Sequence, residues 1–157
     1  MPVSPIKTND MSVRYAIGLD LGGTNLKCAI ISNRGEMVYK NVMPVKTEEG
    51  GEKVIQAMAD AARECLRFAR KEKIEIAGVG AGCPGNMDCD RGIPIGPTPH
   101  IPNWEGLEIT ETLSQAIHLP VYIDNDANFM AYGEYMCGQG IGLKVVVGIT
   151  LGTGVGG

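Results

Sequence analysis

Short apolar runs bounded by glycine and polar residues occur in three segments near the start of the chain, and such runs are typical of β-strands. These segments predict strands over residues 14–20, 25–32 and 36–43, and the short turns between them predict an antiparallel meander. From residue 52 to residue 71 the apolar positions recur every three or four residues instead. That spacing predicts an amphipathic helix whose apolar stripe covers the sheet.

Strand and helix patterns then alternate along the rest of the chain. They predict a strand over residues 74–81, a helix over 107–117, a strand over 121–123, a helix from about 124 to 137 and a final strand over 144–150. The resulting order, βββαβαβαβ, predicts an α/β fold in which helices flank a mixed sheet. Residues 1–13 and 86–106 lack a period, which predicts a flexible N-terminal tail and a long functional loop.

Composition narrows the class of partner. The 157 residues suffice for one domain and carry 14 basic against 18 acidic residues, a formal charge of −4 without a basic cluster. We therefore expect a small-molecule partner, no nucleic acid and no membrane, and no apolar run reaches the ~20 residues of a membrane span. Five cysteines cannot all pair, and no signal segment precedes the first strand, so a cytoplasmic location with free thiols is expected.

Two Gly-rich stretches, residues 18–25 and 150–157, follow apolar runs and are candidates for phosphate binding. Glycines without Cβ permit a tight turn in which backbone N–H groups approach an anion. Either stretch alone is explained equally well as an ordinary hairpin, and neither has the spacing of a P-loop, but the pair indicates one nucleotide held from both sides. The candidate phosphate-binding residues are Asp20, Gly22, Gly23, Thr24, Asn25, Gly152, Thr153, Gly154 and Gly156.

Five motifs in this chain resemble, in order, those of the ROK (repressor, open reading frame, kinase) family of bacterial sugar kinases. They cover residues 20–24, 82–85, 103–104, 125–128 and 151–157. The resemblance implies an actin-like ATPase lobe with the ribonuclease-H-like fold. Because members of the family continue into a C-terminal lobe, we expect residues 14–157 to be an N-terminal lobe that is inactive alone. A repressor is disfavoured, since the first 13 residues cannot hold a helix-turn-helix domain.

The resemblance implies ATP-dependent phosphorylation of a hexose, and we expect the reaction to be glucose to glucose 6-phosphate. Kinases for fructose, mannose, allose or an N-acetylated hexosamine stay open as alternatives. A non-catalytic sugar-binding or regulatory fragment is an alternative of another class. ATP is expected with Mg²⁺, which phosphate oxygens and waters would hold near Asp20. The resemblance also implies a homodimer or a larger assembly.

Asp126 is the candidate general base, because it begins a predicted helix whose dipole favours an ionised carboxylate, and the resemblance assigns it the same role. Spacing alone favours a capping role for Asp124, Asn125 or Asp126. The resemblance places the sugar beside Pro84, Gly85, Asn103, Asn125 and Asp126. The asparagine amides can donate to and accept from neighbouring hydroxyls, although turn roles explain these residues as well.

Several other side chains keep two interpretations. Trp104 either stacks on a sugar face or plugs the edge of the core. Glu134 either faces the same cleft or belongs to a solvated helix face. Cys83, Cys89 and His100 invite a zinc site, but their spacing fits no compact zinc pattern, so buried or loop thiols are preferred.

Overall fold

The computed structural model describes residues 13–151 and 155–157. The tail expected over residues 1–13 lies outside the described residues except for Val13, and so do Gly152, Thr153 and Gly154 of the second Gly-rich stretch. The strands are β1 (Tyr15–Leu21), β2 (Asn25–Ser32), β3 (Met37–Pro44), β4 (Ile76–Cys83), β5 (Asn86–Asp88), β6 (Ile93–Ile95), β7 (Val121–Asn125), β8 (Thr150–Leu151) and β9 (Val155–Gly156). The helices are α1 (Gly51–Glu72), α2 (Ile109–Ile117) and α3 (Asp126–Cys137), and a 3-10 turn covers Thr47–Glu49.

Five strands form the mixed sheet, in the order β3-β2-β1-β4-β7. The first three strands are antiparallel neighbours, which confirms the predicted meander. Strands β1, β4 and β7 run parallel, and the connections that precede β4 and β7 contain α1 and α2. Parallel neighbours need such crossover connections, whereas antiparallel ones are joined by short turns. The predicted fold class, an α/β lobe with a mixed sheet and flanking helices, is confirmed.

Helix α1 packs on one face of the sheet and against α2. Alternate residues of β1 point to this face and are buried, namely Ile17, Leu19 and Leu21. They meet a buried stripe of α1 that includes Val54, Met58, Ala62 and Cys65. Trp104 joins the same core with 1% of its surface exposed. Its indole therefore plugs the core and does not lie open for stacking on a ligand.

Helix α1 is the longest helix, with 22 residues. Its C-cap is Lys73, which takes a left-handed φ of 56° and donates its N–H to the carbonyls of Ala69 and Arg70. This ending satisfies carbonyl groups that have no partner within the helix. None of the helices in the described part of the chain is both long and apolar enough to cross a bilayer.

The carboxyl ends of the parallel strands meet at one edge of the sheet. Across this edge Asp20 of β1 pairs with Gly82 of β4, and Gly82 pairs with Asp124 of β7. Asn125 ends β7 and leads directly into α3 at Asp126. In open α/β sheets, ligands bind beyond the carboxyl ends of the strands. The topology thus gathers residues from the first and last thirds of the chain at such a location.

The structure departs from the predictions in two segments. Within the loop expected over residues 86–106, β5 and β6 form a small antiparallel hairpin. The final strand predicted over residues 144–150 is wrong, because only Thr150–Leu151 forms a strand, paired with Val155–Gly156. Val145 and Val147 are 77% and 84% exposed. An apolar run forms a stable strand only beside a partner strand, and the described residues offer none to residues 144–149.

Candidate functional site

A cleft of about 800 Å³ opens at the carboxyl edge of the sheet. Small-molecule sites commonly enclose roughly 300–1,000 Å³, so a sugar and part of a nucleotide would fit. The walls include Gly22 and Gly23, Pro84 and Gly85, Thr98 and His100, Asp124, Asn125 and Asp126, and Gly156. The fold therefore brings candidates for phosphate binding and for sugar binding to one cleft, although they are far apart in sequence.

The first Gly-rich turn is held from both sides by hydrogen bonds. Gly22 N–H donates to the carbonyl of Asn25 at 2.9 Å, which closes the β1–β2 hairpin. The hydroxyl of Thr47 donates to the carbonyl of Gly23 at 3.0 Å, and Val45 N–H donates to the carbonyl of Thr24 at 3.0 Å. A Cβ added at Gly23 would meet no atom within 4 Å. The turn is thus fixed in shape and open toward the cleft, as an anion site requires.

Asp20 forms an ion pair that the sequence interpretation missed. Lys27 Nζ lies 2.8 Å from Asp20 Oδ2, and the two residues are directly opposite in the β1–β2 register. Hydrogen bonding to Asp20 raises the pKa of Lys27. Both side chains are at least half exposed, so the Asp20 carboxylate remains accessible to water. The hairpin register, counted outward from the turn, is the signal that could have revealed this pair.

Gly82 allows α3 to approach the sheet closely. A Cβ at Gly82 would lie 3.3 Å from the Cα of Asp126, so a larger residue would push the start of the helix away from β4. Burial, and then the charges of Asp126 and Asp20, raise the pKa of the neighbouring Cys83 thiol to about 12. Cys83 therefore stays a protonated, buried thiol, and both carboxylates act on it from the same end of the sheet.

Asn125 is the N-cap of α3 and also links the start of that helix to the Pro84–Gly85 turn by a hydrogen bond. Its Oδ1 accepts from the N–H groups of Ala127 at 2.9 Å and Asn128 at 3.4 Å. Its Nδ2 donates to the carbonyl of Gly85 at 3.0 Å. The amide oxygen is fully engaged and one amide hydrogen is used, which leaves one hydrogen for a ligand. Asn125 therefore positions the Pro84–Gly85 turn against the start of α3.

Asp126 keeps its carboxylate exposed at the cleft, because the capping role falls to Asn125. Among the described residues, its only hydrogen-bond partner is the N–H of Ala127, which donates to Oδ1 at 2.9 Å. Asp124 also stabilises the start of α3, because its Oδ1 accepts from the Asn125 N–H at 2.6 Å and from Asn128 Nδ2 at 2.8 Å. The first turn of α3 is thus held firmly while Asp126 remains available to a ligand.

The Pro84–Gly85 turn depends on a backbone conformation that favours glycine. Gly85 has a φ of 89°, and an added Cβ would lie 2.6 Å from the hydroxyl oxygen of Thr98. The loop after β6 therefore packs directly on this turn. The two segments form one wall of the cleft.

Two sequence candidates lie elsewhere. Asn103 is not among the residues that line the cleft, and it adopts a left-handed φ of 54° in the turn before Trp104. That position matches the turn role that the sequence had left open. Glu134 lines a separate, smaller hollow of about 230 Å³, and its Oε2 accepts from the N–H of Gln139 at 2.9 Å. Glu134 therefore supports the end of α3.

The three residues that invited a zinc site do not assemble into one. Among the described residues, no group of three or more His, Cys, Asp or Glu side chains could hold a metal ion. Cys83 is buried, whereas Cys89 is exposed on the β5–β6 hairpin. Burial, with Asp124 nearby, raises the pKa of Cys89. The thiols thus remain protonated, and thiol groups in that form are poor zinc ligands.

Fold and cleft together define an α/β lobe with a Gly-rich turn and an exposed carboxylate at the carboxyl edge of its sheet. Residues 16–157 match the model of the ROK family, and the chain belongs to that family. The predicted relationship and its actin-like fold are confirmed.

The chain is similar to sugar kinases of this family. It is 39% identical over 149 residues to the glucokinase of Halalkalibacterium halodurans, covering 94% of this chain and 44% of that protein. A ROK family glucokinase from Streptomyces griseus, solved in complex with glucose and AMPPNP, superposes with a TM-score of 0.72 at 29% identity, over 90% of this chain and 43% of that one. An inorganic polyphosphate/ATP-glucomannokinase from Arthrobacter gives a TM-score of 0.76 at 28% identity, over 91% and 56%. The chain spans less than half the length of the curated glucokinases it matches.

Proposed function

We propose that the protein phosphorylates a hexose with ATP, and that glucose is its substrate. The observation that carries the proposal is the exposed carboxylate of Asp126, which borders one cleft together with the Gly22–Gly23 turn. An anion site beside a base is the arrangement that phosphoryl transfer to a hydroxyl needs. The similarity to glucokinases, including one solved with glucose and AMPPNP, supports the choice of substrate.

Asp126 is the proposed general base. In the reaction a sugar hydroxyl oxygen forms a bond to the γ-phosphorus while the bond to the ADP oxygen breaks, and the hydroxyl proton passes to the base. The positive end of the α3 dipole stabilises the ionised carboxylate that accepts this proton. The bonds from Asn125, Asp124 and Asn128 hold the first turn, so the carboxylate is oriented before the sugar binds.

The phosphates of ATP are assigned to the two Gly-rich segments. Backbone N–H groups of Gly23 and Thr24, on the turn that the Gly22 N–H closes, would bind one side, and the β8–β9 hairpin with Gly156 would close the other. Mg²⁺ neutralises phosphate charge when it is bound, and it usually keeps several waters instead of a cage of protein ligands. The carboxylate of Asp20 could accept a hydrogen bond from such a water, because its side chain is half exposed. The ammonium group of Lys27 would add a positive charge beside the phosphates.

The sugar is assigned to the wall formed by Pro84, Gly85 and Asn125, facing Asp126. Backbone groups of the Pro84–Gly85 turn and the remaining Asn125 amide hydrogen are suited to hydroxyl groups. The role of Asn103 stays a proposal based on family resemblance, and its place outside the cleft lining weighs against direct contact. Fructose, mannose, allose and N-acetylated hexosamines are alternative substrates, and a non-catalytic sugar-binding role is the alternative of another class. A cytoplasmic location and a homo-oligomer belong to the same proposal.

The test is the formation of ADP by the full-length protein with Mg-ATP, with and without each hexose. Glucose-dependent ADP release, with glucose 6-phosphate identified as the product, is the expected result. Release with another hexose alone would keep the reaction class and change the substrate. Sugar binding without ADP release from the folded, full-length protein would overturn the kinase and favour the binding role.

A further inference from the structure

We propose that His100 hydrogen-bonds a ring hydroxyl of the sugar and so contributes to the choice of hexose. This inference rests on the proposed function and deepens it, because it names the side chain that completes the sugar side of the cleft. His100 lines the cleft with Asp126, Gly85 and Asn125, and its side chain is exposed. In the sequence it had been considered only as a zinc ligand, and that site does not form.

The turn that carries His100 is anchored on both sides. Ile101 N–H donates to the carbonyl of Thr98 at 3.1 Å, which closes a turn with His100 at its third position. Thr98 packs against Gly85, and Ile101 is buried in the core with 3% of its surface exposed. The following residue, Pro102, accepts from the N–H of Gly51 at the start of α1. Such a fixed backbone presents a side chain to a ligand at low entropic cost.

The imidazole has no partner of its own within the described part of the chain. No hydrogen bond or ion pair joins it to another described residue. A neutral imidazole offers one donor and one acceptor, and a sugar hydroxyl can use both kinds of bond. Pro84 offers no N–H, and Asn125 has one amide hydrogen left, so beside Asp126 the residues assigned to the sugar supply few side-chain groups for its hydroxyls. His100 adds the missing polar side chain.

The experiment combines His100→Ala with deoxy sugars in the full-length protein. Dissociation constants from calorimetry and kcat/KM are measured for glucose and for 1-, 2-, 3- and 4-deoxyglucose. Loss of one neutral hydrogen bond should weaken glucose binding about 2- to 10-fold while the KM for ATP stays the same. For the wild type, one of the deoxy sugars should bind more weakly than glucose. For His100→Ala, the same deoxy sugar and glucose should bind equally tightly. That non-additivity identifies the hydroxyl that His100 contacts.

Three further variants make the result specific. His118→Asn is the matched control, because His118 is the other histidine, lies with a φ of 57° at the end of α2, and is not among the residues that line the cleft. It should leave glucose affinity unchanged. His100→Gln and His100→Asn retain an amide in place of one or the other ring nitrogen, and one of them should restore part of the affinity. Such partial rescue would not follow from a merely structural role.

The failures of the two proposals are distinguishable. If the wild type binds glucose without releasing ADP, the proposed kinase activity is wrong, and the binding constants still test the role of His100. Unchanged glucose affinity in His100→Ala would overturn the role of His100 and leave the proposed kinase activity untouched. The same holds if the effects of His100→Ala and of removing a hydroxyl are additive for all four deoxy sugars. A loss of glucose affinity in Asn103→Gly but not in His100→Ala would return the contact to Asn103. Absence of any hexose binding by the wild type overturns both.

Discussion

Asn125 donates from Nδ2 to the carbonyl oxygen of Gly85 at 3.0 Å, across 40 residues of sequence. The bond joins the carboxyl end of β7 to the turn that follows β4. Because the same side chain also caps α3, one residue fixes the spacing between the Pro84–Gly85 turn and Asp126. The geometry of the proposed sugar site therefore depends on a contact that carries no charge.

Replacing Asn125 separates its two roles. Asn125→Ala should lower the free energy of unfolding by about 0.5–2 kcal/mol, because the cap of α3 is lost. Asn125→Ser keeps a capping hydroxyl but is too short to reach Gly85, so its loss of stability should be smaller. Both variants should raise the KM for the sugar. Urea unfolding and steady-state kinetics of the full-length protein measure the two effects, and normal sugar KM in the Ser variant would remove the Gly85 contact from the site.

Gly85→Ala tests the close packing of the turn against Thr98. The variant carries the cost of a left-handed backbone, about 1–2 kcal/mol, and adds the clash with the Thr98 hydroxyl. Gly96→Ala is the matched control, since Gly96 has a φ of 74° but its Cβ would meet nothing within 4 Å. We expect the Gly85 variant to be the less stable of the two and the only one with a raised sugar KM. Equal melting temperatures would contradict the predicted clash.

Asp126→Asn should abolish turnover while the fold remains. Removal of a general base typically lowers the rate about 10²–10⁴-fold, and the loss of one charge at a helix start costs only about 0.3–1 kcal/mol. Asp60→Asn is the control, because Asp60 is an exposed carboxylate on α1 that pairs with Arg63. Rates of ADP release and circular dichroism are compared for the two variants. Wild-type turnover in folded Asp126→Asn would exclude this residue as the base.

Stability should depend on Tyr39 at high pH. Its hydroxyl donates to Glu64 Oε1 at 2.6 Å, and this bond raises the pKa of Tyr39 to about 12. A raised pKa means that the folded state holds the proton more tightly than the unfolded state. The contribution, about 1 kcal/mol after allowance for solvent screening, is therefore complete below pH 10 and is lost as the pH rises toward 12.

The measurement is the difference in unfolding free energy between wild type and Tyr39→Phe from pH 8 to pH 12. That difference should fall across the upper half of the range. Tyr122→Phe removes a hydroxyl from a tyrosine that is 69% exposed and has no bonded partner within the described residues, so its difference should stay flat. A flat response for Tyr39→Phe as well would show that Glu64 does not hold its proton.

The five strands of the main sheet and the three helices, between residues 15 and 137, were well predicted because their signals are local. Short apolar runs marked β1 to β3, and the three-and-four spacing marked α1 to within one residue at each end. The glycines at 22, 23, 82 and 85 marked turns and close approaches, since a missing Cβ restricts a backbone independently of distant partners. The apolar run over residues 144–149 was a misleading signal, because a strand there needs a neighbour that the described residues do not supply.

The sequence by itself determined the fold class and the sequential order of the five strands of the main sheet and the three helices. It also supplied the residues that are proposed to bind a phosphate and a sugar. Tertiary structure decided which neighbouring residue takes which role. It made Asn125 the cap and left Asp126 exposed, joined Lys27 to Asp20, buried Trp104 and brought His100 to the cleft instead of Asn103. Propensity and spacing report the conformation of a segment, whereas these assignments depend on which groups other segments bring within about 3 Å, and hydrogen bonds form only at such distances.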